Sequence, residues 1–188
     1  MRSRTVTLDG TTLNTLDVFD VSYGHALVEI SDDAMQRVQI ARNVVDRIVQ
    51  GDETVYGINT GFGSLVHTQV SHDEVEQLQL NLIRSHATGI GPNLSTELVR
   101  SMMCVRLNSL IKGHSGCHPD VVLQLKSFLN NRIHPVVPRI GSLGASGDLA
   151  PLSHLACALV GEGTVELNGQ VIDAMDALRE CELAPLSL

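Results

Sequence analysis

The apolar residues of this chain recur at helical spacing in one block after another, and glycine or proline closes most blocks. From Ser31 to Gln50 the positions Met35, Val38, Ala41, Val45 and Ile48 share one face, and Gly51 supplies the stop. Ser71 with Glu74 forms a capping box that opens a second helix through Val75, Leu78 and Leu82. A third runs from about Ser95 to Lys112, carries Leu98, Met102, Val105 and Leu110, and ends at Gly113. Pro119 stands at a first helical position and starts a fourth through Val122, Leu125 and Leu129. Leu152, Leu155, Ala156 and Leu159 mark a buried helix rich in small residues, and "DAMDALRE" begins another. The spacing predicts a mainly α fold in which each helix buries one stripe against its neighbours.

The extended parts are marginal. "TVTLDGTTLN" alternates around Asp9-Gly10, which predicts a hairpin, and "TVELNGQVI" predicts a second with Asn168-Gly169 as its turn. Pro135 and Pro138 force an extended segment between the fourth helix and the small-residue one. At 188 residues, 43% apolar and 18% charged, the chain suits one globular domain. A net charge of -8 with only isolated basic pairs such as Arg2 and Arg4 argues against nucleic acid as the main partner. No apolar run approaches the roughly eighteen residues of a membrane span, and "MRSRTVTLDG" has no apolar core of a secretion signal. Cys104, Cys117, Cys157 and Cys181 form no C-x-x-C pair, so they read as reduced thiols of a cytoplasmic protein. No internal repeat or low-complexity tract interrupts the reading.

Between the extended segment and the small-residue helix lies "GSLGASGDLAPLSH". It lacks the lysine and spacing of a P-loop and is not G-x-G-x-x-G, and Asp148 stands where a nucleophile elbow needs its last glycine. One reading is a turn capped by Ser146 or Asp148, with a helix N-terminus able to hold an anion. The other is covalent. If the Gly147 nitrogen reached the Ala145 carbonyl carbon, the tripeptide would close into a five-membered ring. Gly147 brings no Cβ to block that approach, and Ala145 leaves the carbonyl uncrowded. Dehydration of Ser146 would then expose a methylidene carbon, an electrophile that no unmodified side chain supplies. Such a bend is strained and must be held by its surroundings.

"GSLGASGDLAPLSH" resembles the signature of the aromatic amino acid lyase family, the histidine, phenylalanine and tyrosine ammonia-lyases with related aminomutases. "VYGINTGFGS", "NLIRSHATGIG" and "LNSLIKGHSG" resemble further family stretches in the family's order, from about residue 5 to the end. The resemblance implies the helical N-terminal portion of the ammonia-lyase fold, with residues 1–188 as a single unit. It implies that Ala145, Ser146 and Gly147 form the methylidene-imidazolone (MIO) group, with Asp148 supporting ring formation and no metal or nucleotide cofactor. Tyr56 matches the catalytic base on a mobile loop whose Gly57, Gly61 and Gly63 give hinge freedom. It also implies substrate contacts at Ser85, His86, Leu149, Asn59 and Gly63.

The implied chemistry is coherent. An α-amino group leaves poorly, and the β-proton of an amino acid is barely acidic. Amine addition to the electrophilic carbon eases nitrogen departure, and a base removes the β-proton to give an α,β-unsaturated acid. A tyrosine can be that base only if its pKa falls well below about 10, as positive charge or helix N-termini would bring about. Ser85-His86 is the pair typical of histidine ammonia-lyases, so L-histidine to urocanate is the first reading of the substrate. Some tyrosine lyases and 2,3-aminomutases carry the same pair and form the alternative. A non-catalytic helical scaffold or regulatory homologue, with the loop as a plain cap, is the alternative of another class. Keeping both Tyr56 and an intact Ala-Ser-Gly argues against it.

His114, Cys117 and His118 have atom types suited to zinc, but no fourth ligand is placed and the run is crowded for one tetrahedral ion. His154 reads as structural. Family chains continue beyond this stretch to residues that grip the substrate carboxylate, and the apolar Pro185, Leu186 and Leu188 look cut in mid-element. The chain is read either as a truncated or proteolysed piece of a longer protein or as one subunit of a split enzyme. The long central and C-terminal helical region is therefore expected from a complementary chain or fragment, with self-association into the tetramer seen in relatives. Alone, the chain is expected to expose an apolar face.

Overall fold

In the computed structural model, residues 4–24, 26–51, 55, 58, 72–141 and 149–187 are described. β1 (Thr5–Leu8), α1 (Thr15–Ser22) and β2 (Leu27–Ile30) open the chain, followed by α2 (Asp32–Gln50) and α3 (His72–His86). β3 (Ile90–Asn93), α4 (Thr96–Leu110) and α5 (Pro119–Asn131) come next, then β4 (His134–Pro135) and β5 (Pro138–Ile140). α6 (Leu149–Leu159), β6 (Thr164–Leu167), β7 (Gln170–Asp173) and α7 (Ala174–Glu180) complete it. The architecture is mainly α, as the periodicity predicts.

The helix boundaries follow their caps. Ser31 caps α2 by accepting from the Ala34 N–H, and Gly51 ends it. Ser95 caps α4 in the same way, and Pro119 opens α5 at its first turn. The capping box that begins at Ser71 lies outside the described residues. Val99, Met103 and Leu107 of α4 meet Val122, Leu125 and Phe128 of α5 in the core, with Val28 of β2 beneath them.

The hairpin expected at Asp9-Gly10 does not form. β1 instead pairs in parallel with β2, Val6 opposite Val28 and Leu8 opposite Ile30, and α1 is the crossover. Asp9 accepts from the Thr11 and Thr12 N–H groups at 2.7 and 2.8 Å, folding the chain into a local turn. Gly10 donates to Asn108 Oδ1, and a Cβ there would sit 3.1 Å from Lys112 Cγ. The Asp-Gly pair thus serves a loop laid on the end of α4. The second hairpin forms as expected: β6 and β7 are antiparallel, and Asn168 and Gly169 both take positive φ. β4 adds to β6 as a third strand, and β3 pairs with β5 through a bulge.

α1 and its C-cap residue Tyr23 carry an exposed apolar stripe with Leu16 and Phe19. The stripe expected for α4 through Leu98 and Val105 is corrected: both face outward, and Val99, Met103 and Leu107 are buried instead. Among the described residues no helix is long and apolar enough to cross a membrane.

Candidate functional site

Three segments cross at one corner: the turn after α3, the end of β5 and the start of α6. Two glycines permit the approach. A Cβ on Gly141 would lie 2.8 Å from Gly89 Cα, and one on Gly89 would lie 2.9 Å from His154 Nε2 and 3.1 Å from Pro138 Cβ. Gly89 donates its backbone N–H to His154 Nε2 at 3.0 Å. That nitrogen must therefore be unprotonated, which places the ring proton of neutral His154 on Nδ1. Burial pushes the pKa of His154 down, consistent with a neutral acceptor. The structural role expected of His154 is thus a specific one.

The last turn of α3 presents Ser85 and His86. Ser85 Oγ donates to Leu82 O at 2.8 Å, and His86 Nδ1 lies 2.9 Å from the same carbonyl and 3.0 Å from Ser85 Oγ. A carbonyl only accepts, so His86 Nδ1 carries hydrogen. In the neutral ring the lone pair is then on Nε2, an acceptor for an imidazole N–H or a phenol O–H. His86 is half-buried.

Arg84, one turn from the corner, grips Glu162 beyond α6. Its Nε lies 3.1 and 3.0 Å from the two carboxylate oxygens, and Nη2 adds a third contact. The Arg84 hydrogen bonds hold the Glu162 carboxyl below its usual range, and Glu162 in turn pushes the Arg84 pKa up. This pair and the Gly89–His154 bond clamp α3 to α6 from two sides. Neither pairing is legible in the sequence, because each joins residues far apart in the chain.

Ala145, Ser146, Gly147 and Asp148 lie outside the described residues, as do Tyr56, Asn59 and Gly63. The residues bordering the triad's stretch are described: Gly141 is at the corner, and Leu149, 44% exposed, is the first residue of α6. Gly141, the last described residue before the triad's stretch, thus packs against the turn three residues beyond His86 and against Ala150 of α6. The residue types fit an MIO group: a glycine nitrogen to attack, a small alanine to be attacked and a serine hydroxyl to lose. Ala150, the second residue of α6, is also in the knot, 3.2 Å from a Cβ built on Gly141.

His118, weighed for zinc, has another task. Its Nδ1 accepts the Asp120 N–H at 3.2 Å and caps α5. Deeper in the fold, buried Arg100 donates to Val21 O, Leu129 O and His134 Nε2 at 2.9, 3.0 and 3.0 Å. That cluster joins α1, α4, α5 and β4 and lies outside the corner.

The family model of the aromatic amino acid lyases matches residues 13–188. A histidine ammonia-lyase of Staphylococcus aureus (strain JH9) is 50% identical over 184 residues, 98% of this chain and 36% of that protein. Ergothionase of Treponema denticola, an ergothioneine-degrading enzyme, superposes with a TM-score of 0.94 at 34% identity, over 98% of this chain and 37% of that one. Histidine ammonia-lyase of Trypanosoma cruzi gives 0.89 at 41% identity, covering 98% and 35%. The chain spans about a third of the length of the relatives it matches.

Proposed function

The chain belongs to the aromatic amino acid lyase family, and from that premise we propose that it carries the electrophile and the base of an ammonia-lyase acting on L-histidine to give urocanate. The observation that carries the reading is the corner itself. There Gly89, three residues beyond His86, meets Gly141 and His154, which lie on either side of the stretch containing Ala145-Ser146-Gly147.

The MIO group formed from those three residues would supply an electrophilic methylidene carbon for the substrate amine. His86, with Nδ1 anchored on Leu82 O, offers Nε2 to the donor edge of the substrate imidazole. Ser85 shares that anchor and fixes the ring plane. Leu149 adds apolar contact, and Asn59 and Gly63 are assigned to substrate by family resemblance. Tyr56, assigned on the same ground, takes the β-proton; a matched general base contributes on the order of 10²–10⁴ in rate. Asp148 supports ring formation. The carboxylate grip is assigned to sequence beyond these residues or to a complementary chain, within a homotetramer working in the cytoplasm.

A phenol could use the same His86 acceptor, which keeps a tyrosine lyase or 2,3-aminomutase as the second reading. Lyase and mutase differ in how long product and ammonia are retained.

The test is an accurate mass of the full-length chain with the peptide from Pro138 to His154 isolated. Ring closure and serine dehydration each release water, so the expected result is a deficit of two waters at residues 145–147. Ser146→Ala should abolish both the deficit and deamination. An unmodified native mass, or full activity in Ser146→Ala, overturns the reading.

A further inference from the structure

We propose that His154 is a positioning residue: as a neutral acceptor for the Gly89 N–H, it sets where the Ser85-His86 end of α3 stands relative to the start of α6. The proposal rests on the reading of Ser85-His86 as the side-chain end of an amino-acid site.

The geometry leaves little slack. His154 Nε2 receives the Gly89 N–H at 3.0 Å, and a single methyl on Gly89 would come within 2.9 Å of that same atom. Gly141 closes the other side, where its built Cβ would be 2.8 Å from Gly89 Cα and 3.2 Å from Ala150 Cβ. The turn is thus wedged between Gly141, Pro138 and His154, and the imidazole is its polar stop. A glycine three residues from His86 and a histidine five residues into α6 meet across 65 positions of sequence. Loss of the acceptor leaves a half-buried N–H without its partner and lets the turn drift. A displacement of about 1 Å at a binding group can cost ~100-fold in rate. The Arg84–Glu162 pair ties α3 to the turn after α6, a second link that does not depend on the corner.

Glutamine and leucine separate hydrogen bonding from bulk at this site. Glutamine places an amide oxygen near the Nε2 position, whereas leucine fills space and accepts nothing. In the full-length enzyme, His154→Leu is expected to raise KM for L-histidine and Kd for urocanate about tenfold or more. It should also speed hydrogen exchange at the Gly89 amide by about tenfold. His154→Gln should return all three to within about threefold of native. Both variants should keep the two-water deficit at residues 145–147, so that positioning and ring formation are read apart. Gly89→Ala approaches the same contact from the other side. The backbone φ of Gly89 lies outside the left-handed region, so the methyl adds the clash without backbone strain. It should reproduce the leucine phenotype, and it decides the matter if His154→Leu fails to fold.

Equal impairment in the leucine and glutamine variants overturns the proposal, as does native binding in His154→Leu or native binding in Gly89→Ala. Native Gly89 exchange in His154→Leu overturns it as well. A native enzyme that lacks the mass deficit and deaminates no aromatic amino acid overturns the function reading, and this role with it. An active native enzyme with a silent His154→Leu overturns this role alone.

Discussion

At the scale of single residues, the proposed function assigns substrate selectivity to one nitrogen of His86. Its Nδ1 is committed to Leu82 O at 2.9 Å, so the neutral ring meets a ligand through the Nε2 lone pair. Leucine in its place keeps the volume and removes the acceptor. A substrate with an imidazole N–H or phenol O–H then loses a partner worth roughly 1–3 kcal/mol, or about 10–100-fold in kcat/KM. L-Phenylalanine has no such donor and should be turned over by His86→Leu as well as by the native enzyme, or better. Steady-state rates on the three amino acids check this. Equal losses on all three would remove the basis for ranking histidine first.

Elements show how far local rules reach. α2 and α5 were legible because an apolar stripe agrees with a start signal, the Ser31 cap with its Gly51 stop in one and Pro119 in the other. α4 was legible from its Ser95 cap, but the stripe read through Leu98 and Val105 faces outward, and the buried face runs one residue on, through Val99, Met103 and Leu107. α1 was not: it is eight residues long, and its largest apolar residues, Leu16 and Phe19, face outward, so no inward stripe marks it. Its start signal, Asn14 in a capping box with Asp17, was present and was masked by the stronger Asp9-Gly10 cue. The Ala145-Ser146-Gly147 triad, Tyr56 and the Ser85-His86 pair are assigned as residue types in family order alone. The crossing of Gly89, Gly141 and His154 was not, since it depends on three segments meeting. The β1–β2 pair likewise needs a nonlocal support, and Asn130 of α5 provides it. Asn130 accepts the Val28 N–H at 2.8 Å and donates back to Val28 O at 3.0 Å, completing the free edge of β2 as a third strand would. Asn130→Ala orphans both groups and should cost about 1–3 kcal/mol in unfolding free energy, read from urea denaturation of the full-length chain. Asn130→Asp keeps the acceptor and loses the donor, so it should fall between alanine and native.

Over the whole molecule, stability is bounded in pH by different groups on its two flanks. On the acid side, the Thr11 and Thr12 N–H groups hold the Asp9 carboxyl well below the usual carboxylate range, and the Arg84 hydrogen bonds lower that of Glu162. Depressed carboxyl pKa values stabilise the fold above the unfolded pKa, and that contribution is lost as pH falls through the folded one. On the alkaline side the core itself sets the limit. Cys104 of α4 is fully buried, and burial pushes its thiol up to about 11, against a smaller opposing pull from Arg100. Cys157 and Cys181 are pushed the same way by burial. A thiol whose folded pKa is raised favours the fold in its neutral form. Its contribution is complete below the unfolded pKa of about 8.5 and disappears as pH rises through about 11. For Cys104 this amounts to ~1–3 kcal/mol. The urea midpoint should therefore hold from pH 7 to about 8.5 and decline between there and about pH 11. Cys104→Ala should flatten part of that decline at the cost of a small cavity, leaving the remainder to Cys157 and Cys181. An alkaline decline of native size in Cys104→Ala would show that the thiol at the heart of α4 is not what limits the fold at high pH.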